Sequence, residues 1–322
     1  MERSKLTPVR IDHDVVKPGK VIVIVGPTCS GKTDLSLDLA LKLDTEIISA
    51  DSRQVYKYLN IGTAKPSKEI RRKVKHHFID VLEPNEDFNV SIFENESLKI
   101  IEKLLKNNKI PIVAGGSGLY IKALVDGIFN TVDTDHQLRE KLLKEKEIYG
   151  NDYLYNQLKN VDPESAESML PQNYKRVMRS LEIYYLTGKS IKEHQKKYER
   201  EMNLTFMQFG LRWDRKKLYQ NINDRVEKMM REGLLDEVKS ILAKGFDKNL
   251  NSLNTVGYKE IISYLNDETD FNTAVELIKR NSRRFAKRQL TWFNPDKRIK
   301  WFDVVNYDDL NGISKKIIKE IA

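Results

Sequence analysis

Four short apolar runs along the chain predict buried β-strands. The first run contains only valine and isoleucine, a composition typical of a strand that is covered on both faces of a parallel sheet. The first and third runs are each followed by a glycine-rich turn and a segment of helical periodicity, and this repeated order predicts a doubly wound α/β fold. The four runs are residues 21–25, 46–50, 110–114 and 207–211.

The pattern changes near residue 133. Residues 136–200 are dense in lysine, glutamate, leucine and tyrosine at helical spacing, and Gly150 and Gly188 stand where helices are expected to end. We therefore predict a helical domain inserted into the α/β core, with mostly helical structure again over residues 215–292. The predicted division is a flexible N-terminal extension over residues 1–19, a core over 20–132 and 205–322, and the helical insertion over 133–204.

Composition adds a moderate positive charge and excludes some classes of site. The 322 residues include 56 Lys+Arg against 47 Asp+Glu, and the net charge of +9 suits either a solvated surface or a polyanionic partner. Cys29 is the only cysteine, which excludes an internal disulfide and a zinc site built from cysteine pairs. Because the sequence lacks a membrane-length apolar stretch and a signal-peptide pattern, we expect a cytoplasmic protein without membrane contact.

Residues 26–33 match the P-loop pattern G-x-x-x-x-G-K-[ST] in full, between a predicted strand and a predicted helix. Glycines let backbone amides turn towards phosphate oxygens, and the helix N-terminus adds positive potential. Lys32 supplies a point charge for the same oxygens, and the Thr33 hydroxyl can ligate Mg²⁺. The expected fold is therefore P-loop NTPase-like. The predicted diphosphate-binding residues are Gly26, Pro27, Thr28, Cys29, Ser30, Gly31, Lys32 and Thr33.

The P-loop alone leaves the identity of its ligand open. Most P-loops bind ATP or GTP, which favours a kinase or ATPase that acts on a small molecule. The chain lacks, however, the apolar run ending in paired acidic residues that is typical of ATPases, and the N-K-x-D sequence that reads guanine. A basic RNA-binding module that senses a nucleotide through its P-loop is a third interpretation.

Six further motifs follow one another at residues 51–57, 61–66, 76–80, 115–120, 256–260 and 287–292. In this order they closely resemble the motifs of tRNA dimethylallyltransferases, and the resemblance extends over roughly residues 20–302. Cys29 stands where alanine is common in that family, and Ser117 stands where threonine is usual. The single cysteine excludes the zinc finger of many eukaryotic members, so the chain resembles the bacterial type.

This resemblance implies transfer of a dimethylallyl group from dimethylallyl diphosphate to N6 of the adenosine just 3′ of the tRNA anticodon, with release of diphosphate. The P-loop is then expected to hold the prenyl diphosphate instead of ATP, with Mg²⁺ as cofactor. By the same resemblance Asp51 is the general base, and Lys32 and Arg225 stabilise the leaving diphosphate. From the residues alone, Asp51 can instead hold a metal-bound water or cap a helix, and Arg225 is an ordinary surface charge.

A basic segment late in the chain is a candidate RNA surface. Residues 279–288 carry six cations, and Arg280, Arg284 and Arg288 align at i, i+4 and i+8 on a predicted helix. Such a row suits phosphate contacts, and a solvated face is the alternative. An apolar residue recurs every seventh position, which predicts a narrow stripe that docks this helix. The predicted stripe consists of Ile278, Phe285 and Trp292.

Two adjacent histidines, His76 and His77, raise the question of a metal site. On a strand they point to opposite faces, and no third ligand is spaced to join them. We therefore predict a structural or hydrogen-bonding role for both.

The resemblance also implies contacts with the tRNA anticodon stem-loop. An adenine that is stacked in the anticodon loop cannot reach a general base buried in the protein. We therefore expect the adenine to flip into a channel that RNA enters on one side and the prenyl donor on the other. We expect a monomer whose helical insertion contacts the tRNA. The tRNA-binding residues implied by the resemblance are Asp51, Ser52, Arg53, Gln54, Ser117, Arg139, Lys175, Arg176, Val177, Met178, Arg179, Asn254, Thr255, Val256, Gly257, Tyr258 and Lys259.

Overall fold

The computed structural model describes residues 19–128, 135–197 and 203–321. The chain divides into two compact units, one made of Met1–Val125 with Met202–Ala322 and the other of Asp126–Glu201. The flexible extension was predicted for residues 1–19, of which residues 1–18 lie outside the described residues. The prediction was wrong for Gly19, because this residue begins the first strand.

The first unit is built on a parallel sheet of six strands in the order β3-β2-β4-β1-β5-β6. The predicted α/β fold is confirmed, and each of the four apolar runs forms a strand. The strand assumed for the two adjacent histidines is present as β3, whereas the sequence interpretation missed β6 at the other edge of the sheet, because its polar residues mask it. The strands are β1 Gly19–Val25, β2 Ile47–Ala50, β3 His76–His77, β4 Ile112–Gly115, β5 Leu204–Trp213 and β6 Lys300–Val304.

Strand register places three loops at one edge of the sheet. Val25 at the end of β1 pairs with Gly115 at the end of β4, and Gly115 also pairs with Ala50 at the end of β2. The P-loop, Asp51 and the glycine turn after β4 therefore leave the sheet together. The strand that precedes Asp51 does not lie directly beside the P-loop strand, because β4 is inserted between them.

Helices cover both faces of this sheet, as the uniform apolar character of β1 predicts. Val21, Val23 and Val25 belong to one buried cluster, while Ile22 and Ile24 belong to the other. The first unit contains the helices α1 Lys32–Lys42, α2 Lys68–Lys73, α3 Val90–Lys106, α4 Gly118–Asp126, α10 Arg215–Arg231, α11 Leu234–Ala243, α12 Tyr258–Leu265, α13 Phe271–Phe293 and α14 Asp309–Ile321.

The docking stripe predicted for α13 was wrong in two of its three positions. Ile278 is buried, but Phe285 is 41% exposed and Trp292 is 48% exposed. Both side chains stay within about 40° of Ile278 around the helix axis, but they line an open cavity, so no core residue covers them. The residues of α13 that are buried are Ala274, Ile278, Ala286, Gln289 and Phe293.

The second unit is a small helical bundle with its own apolar cluster, which includes Leu142, Leu158 and Leu181. Gly150 and Gly188 end α5 and α8, as predicted. Since Leu204 is the first residue of β5, the predicted insertion boundary at residue 204 is too late. Among the described helices of both units, none is long and apolar enough to span a membrane. The helices of this unit are α5 His136–Tyr149, α6 Asn151–Val161, α7 Pro163–Ala166, α8 Tyr174–Thr187 and α9 Ile191–Lys197.

Candidate active site

The P-loop wraps from the end of β1 into the first turn of α1. Gly31 has φ of 90°, in the left-handed region that favours glycine, and a Cβ atom there would lie 2.7 Å from the Leu310 side chain. No side chain caps the start of α1. The first amides of this helix are therefore available to an anion, as the motif predicts.

The Lys32 ammonium group is held inside the P-loop and gives the loop a positive charge. Its Nζ donates a hydrogen bond to the Pro27 carbonyl oxygen over 2.6 Å. Burial lowers the pKa of Lys32 to about 8, and the nearby Arg225 guanidinium acts in the same direction. Two cations close together favour binding of a polyanion, which would raise the Lys32 pKa again.

Arg225 reaches the P-loop from α10, almost 200 residues along the chain. Its NH1 atom donates to Thr28 Oγ1 over 2.8 Å and lies 3.6 Å from Cys29 Sγ. Its Nε is buried and has no hydrogen-bond partner. A buried donor without an acceptor is costly, so the guanidinium is suited to an additional acceptor at this point.

Asp51 follows β2 and is fixed through one of its oxygens. Its Oδ1 accepts the backbone N–H groups of Arg53 over 2.8 Å and Gln54 over 3.3 Å. This turn orients the carboxylate through Oδ1 alone, so Oδ2 is not used by those two amides. Asp51 therefore supports a turn and does not cap a helix, because the next helix begins only at Lys68.

Two adjoining cavities meet between these groups. We call the first, of 640 Å³, the P-loop cavity, since it is lined by the P-loop from Thr28 to Thr33. The second, of 460 Å³, is the outer cavity, whose wall includes Ser117, Lys259 and Trp292. The residues that line both cavities are Thr28, Cys29, Asp51, Thr63, Gly116, Arg225, Met229, Phe285 and Gln289.

Gln289 is a site residue that the sequence interpretation missed. Its Oε1 accepts the Thr28 N–H over 2.8 Å, and its Nε2 donates to the Gly116 carbonyl oxygen over 3.0 Å. A Cβ atom at Gly116 would lie 2.0 Å from Gln289 Nε2, so any side chain there would displace this amide. The available signal was a glutamine on the otherwise apolar buried face of α13.

A second network holds the loop that lines both cavities near Thr63. The Glu237 carboxylate accepts the backbone N–H groups of Asn60, Ile61 and Gly62, and it also accepts the Tyr258 hydroxyl over 2.6 Å. A carboxylate with four donors is strongly localised. The wall of the site on this side is therefore a rigid frame.

The structure brings many of the residues predicted to bind tRNA into the outer cavity. Gln54 instead lines the P-loop cavity and Gly257 caps α12, while Arg280 and Arg284 are exposed on α13 outside both cavities. Those that line the outer cavity are Asp51, Ser52, Arg53, Ser117, Asn254, Thr255, Val256, Lys259 and Arg288.

Three predicted tRNA contacts require correction. Tyr258 is fully buried under Gly62, and Val177 and Met178 belong to the apolar cluster of the second unit. Apolar side chains at helical spacing are pulled into the core, so these three residues support neighbouring surface residues and do not form the surface themselves.

The basic residues of the second unit that were predicted to bind tRNA have different settings. Arg139 and Arg179 both bind the buried Glu182 carboxylate, Arg139 through two nitrogens at 2.6 and 2.8 Å. This geometry fixes two guanidinium groups next to each other. Lys175 and Arg176, at the start of α8, are exposed.

The two histidines of β3 each make a hydrogen bond within the protein. His76 Nδ1 lies 2.8 Å from the Val74 carbonyl oxygen, and His77 Nε2 lies 2.6 Å from Glu46 Oε2. Burial lowers the pKa of both rings. The predicted hydrogen-bonding role is consistent with these contacts.

Comparison with known proteins identifies the family. A family model described as IPP transferase matches residues 54–296. A tRNA dimethylallyltransferase of Halothermothrix orenii is 46% identical over 306 residues, which cover 94% of this chain and 91% of the relative. A protein of the same name from Acetivibrio thermocellus is 44% identical over 303 residues, which cover 94% of this chain and 96% of the relative.

Solved structures give the same result. The full-length tRNA isopentenylpyrophosphate transferase of Bacillus halodurans is 37% identical, with a TM-score of 0.68 and coverage of 94% of this chain and 96% of that one. A eukaryotic dimethylallyltransferase acting on tRNA is 31% identical, with a TM-score of 0.78 and coverage of 93% and 78%. With a family match over most of its length and relatives similar almost end to end, the chain belongs to the IPP transferase family.

Proposed function

We propose that this protein is a tRNA dimethylallyltransferase, which transfers a dimethylallyl group from dimethylallyl diphosphate to N6 of the adenosine 3′-adjacent to the anticodon. One observation carries the proposal beyond family membership. Asp51, Arg225 and the P-loop residue Thr28 all line the boundary between a phosphate-binding cavity and an open outer cavity. A general base that lies in the wall between the diphosphate site and a second cavity suits group transfer between two substrates that enter separately.

The P-loop cavity is suited to the diphosphate of the donor. The α1 amides, Lys32 and Arg225 converge there, and together they stabilise the charge that develops as the C1–O bond of the allylic diphosphate breaks and its electron pair leaves with the diphosphate. This reaction consumes no ATP, which separates it from the alternative of a P-loop kinase or ATPase.

The residues also fit a magnesium ion. Thr33 is exposed in the first turn of α1, and within the described residues no cluster of three acidic, histidine or cysteine side chains forms an all-protein cage. Mg²⁺ prefers a few protein oxygens together with substrate phosphates, so Thr33 and the diphosphate are the proposed ligands. When bound there, the ion neutralises charge on the leaving diphosphate.

Asp51 is the proposed general base. Adenine N6 is a weak nucleophile, because its lone pair is delocalised into the ring. As the N6–C1 bond forms, an N6 proton passes to the Asp51 carboxylate, which is already oriented by the Arg53 and Gln54 amides. To reach it, the adenine flips out of its stack and enters through the outer cavity.

The outer cavity supplies the proposed RNA contacts. Arg53, Lys259 and Arg288 place cations on its wall, and Ser117 and Asn254 add polar groups that can bind a base or a sugar. Further contacts with the anticodon stem-loop are proposed for Arg139, Lys175, Arg176 and Arg179 of the helical unit. We propose that the protein acts as a monomer on tRNA in the cytoplasm.

The test combines the protein with Mg²⁺, unmodified tRNA and dimethylallyl diphosphate, followed by nuclease digestion and mass spectrometry of the nucleosides. We expect one adenosine per tRNA to gain the mass of a dimethylallyl group, in a reaction that chelation of Mg²⁺ slows. No mass gain, or phosphate transfer that requires ATP, contradicts the proposal and favours the kinase alternative.

A further inference from the structure

Two large apolar side chains, Met229 and Phe285, line both the P-loop cavity and the outer cavity. The other residues of this shared wall are polar, charged or small. We propose that Met229 and Phe285 form an apolar collar, a pair of side chains that surrounds the transferred allylic chain and selects donors by the length of that chain. This inference rests on the proposed function. The donor has to cross this boundary, because its diphosphate and the acceptor adenine are held in different cavities.

Helix geometry places the collar one turn from the phosphate-binding contacts. Met229 follows Arg225 by four residues on α10, and Phe285 precedes Gln289 by four residues on α13. Residues four apart share a helix face, separated by about 5–6 Å. Arg225 and Gln289 both bind Thr28 of the P-loop, so two independent helices each present one anchor for the loop and one apolar side chain.

The exposure of Phe285 supports a contact with a ligand. Phe285 is 41% exposed in the structure although it lies on a helix whose neighbouring face is buried. The Arg288 guanidinium lies 5.7 Å from the centre of its ring, a cation–π contact with the ring face. Met229 is 7% exposed, and its thioether is a flexible, polarisable surface.

This chemistry matches the reacting group. The C1–O bond of an allylic diphosphate breaks with positive charge spread over the allyl carbons, and an aromatic face and a sulfur atom stabilise such charge. Two apolar side chains also exclude water, which would otherwise capture the allyl group in place of the adenine N6. One helical turn from the phosphate anchors, about 5.4 Å, is close to the span of a short branched carbon chain.

The test measures donor choice with tRNA as the acceptor. Wild type and Phe285→Ala are assayed with dimethylallyl diphosphate and with the ten-carbon geranyl diphosphate. A single extra methylene at an apolar pocket changes selectivity by roughly 10–200-fold, so we expect Phe285→Ala to shift the ratio of kcat/KM values towards the longer donor by at least about tenfold. In the opposite direction, Phe285→Trp should raise the KM for dimethylallyl diphosphate and leave the KM for tRNA nearly unchanged.

Phe271→Ala is the matched control, since Phe271 is a partly exposed phenylalanine on the same helix that packs on Tyr264 outside both cavities. It should retain the wild-type donor ratio. Wild-type product with an unchanged ratio in both Phe285 variants overturns the collar while leaving the proposed function intact. Absence of prenylated adenosine with wild type overturns both.

Discussion

At the scale of single residues, Asp51 combines a structural contact with a proposed catalytic one. We expect Asp51→Ala to lower kcat by at least about a hundredfold, which is the contribution typical of a general base, and to leave tRNA binding largely intact. Single-turnover prenylation and tRNA filter binding measure the two effects separately.

Asp51→Asn is the decisive companion to this variant. An asparagine oxygen can still accept the Arg53 and Gln54 amides, so the turn is preserved while the base is removed. Turnover close to wild type in Asp51→Asn would show that the residue acts only through its turn and would remove it from the proton transfer.

Lys32 makes donor binding depend on pH. Its pKa is lowered to about 8 in the free protein, so the ammonium charge is lost as the pH rises through that value, whereas the donor phosphates are already ionised above pH 7. We expect donor affinity to be constant below about pH 7 and to fall as pH rises through about 8. Binding at pH 8 should take up roughly half a proton, measurable by calorimetry in buffers of different ionisation enthalpy.

Lys32→Arg separates this charge from other titrating groups. Arginine remains protonated throughout this range, so the variant should bind the donor with an affinity that changes little between pH 7 and 9, even if the absolute affinity is lower. The same decline with pH in wild type and Lys32→Arg would assign the effect to a different group.

At the scale of secondary-structure elements, Gln289 ties α13 to two loops at the sheet edge. We expect Gln289→Leu to destabilise the fold by about 1–3 kcal/mol, because the buried Gly116 carbonyl is left unpaired, with a smaller contribution from the partly buried Thr28 N–H. The displaced P-loop should also raise the KM for the donor. Urea unfolding gives the first quantity and steady-state kinetics the second.

Gln220→Leu serves as the control for that measurement. Gln220 lies exposed on α10, where it donates to Asp224 one turn later over 2.7 Å. Loss of this surface contact should change the free energy of unfolding by no more than about 0.5 kcal/mol. If the two variants unfold at the same urea concentration, the Gln289 bridge contributes little to stability.

The helices and strands were largely predictable from the sequence, whereas the order of the strands in the sheet was not. The valine and isoleucine run of β1 and the P-loop after it specify a strand, a turn and a helix through local composition. The position of β4 between β1 and β2 depends on pairing between segments far apart in the chain, which no local pattern encodes. Sequence motifs therefore identified the site residues that follow these strands. Only the order of the strands in the sheet showed which of those residues lie next to each other.

The face of α13 shows a second limit of pattern reading. A seven-residue repeat placed Phe285 and Trp292 with Ile278, but the helix buries Gln289 in their place. A polar residue joins a buried face when its hydrogen bonds are satisfied, and the partners of Gln289 lie in two distant loops. Their positions depend on the tertiary fold, so the amide was invisible to a count of apolar residues.

At the scale of the whole molecule, the effect of the net charge of +9 on tRNA binding depends on where the basic residues lie on the surface. Arg280 and Arg284 are exposed one turn apart on α13, the helix that also supplies Arg288 to the outer cavity. This row is a candidate track for the phosphates that flank a flipped adenosine. Contacts of that kind set affinity through release of counterions and make it depend on salt.

We expect Arg280→Gln combined with Arg284→Gln to weaken tRNA binding and to reduce the slope of log affinity against log salt by roughly 0.7–0.9 for each phosphate contact removed. Turnover at saturating tRNA should stay near that of wild type, because neither residue lines a cavity. Filter binding over a series of potassium chloride concentrations provides the slope.

Lys315→Gln combined with Lys316→Gln removes the same charge from exposed positions on α14 and should leave the slope nearly unchanged. The comparison separates a local phosphate track from the long-range attraction of a basic protein, because the long-range term depends on total charge and both double variants lose two cations. Equal slopes in the two variants would mean that the charge of the whole molecule attracts tRNA and that α13 makes no specific contact. A smaller slope in the α13 variant alone places tRNA phosphates along this helix, beside the opening through which the adenosine enters.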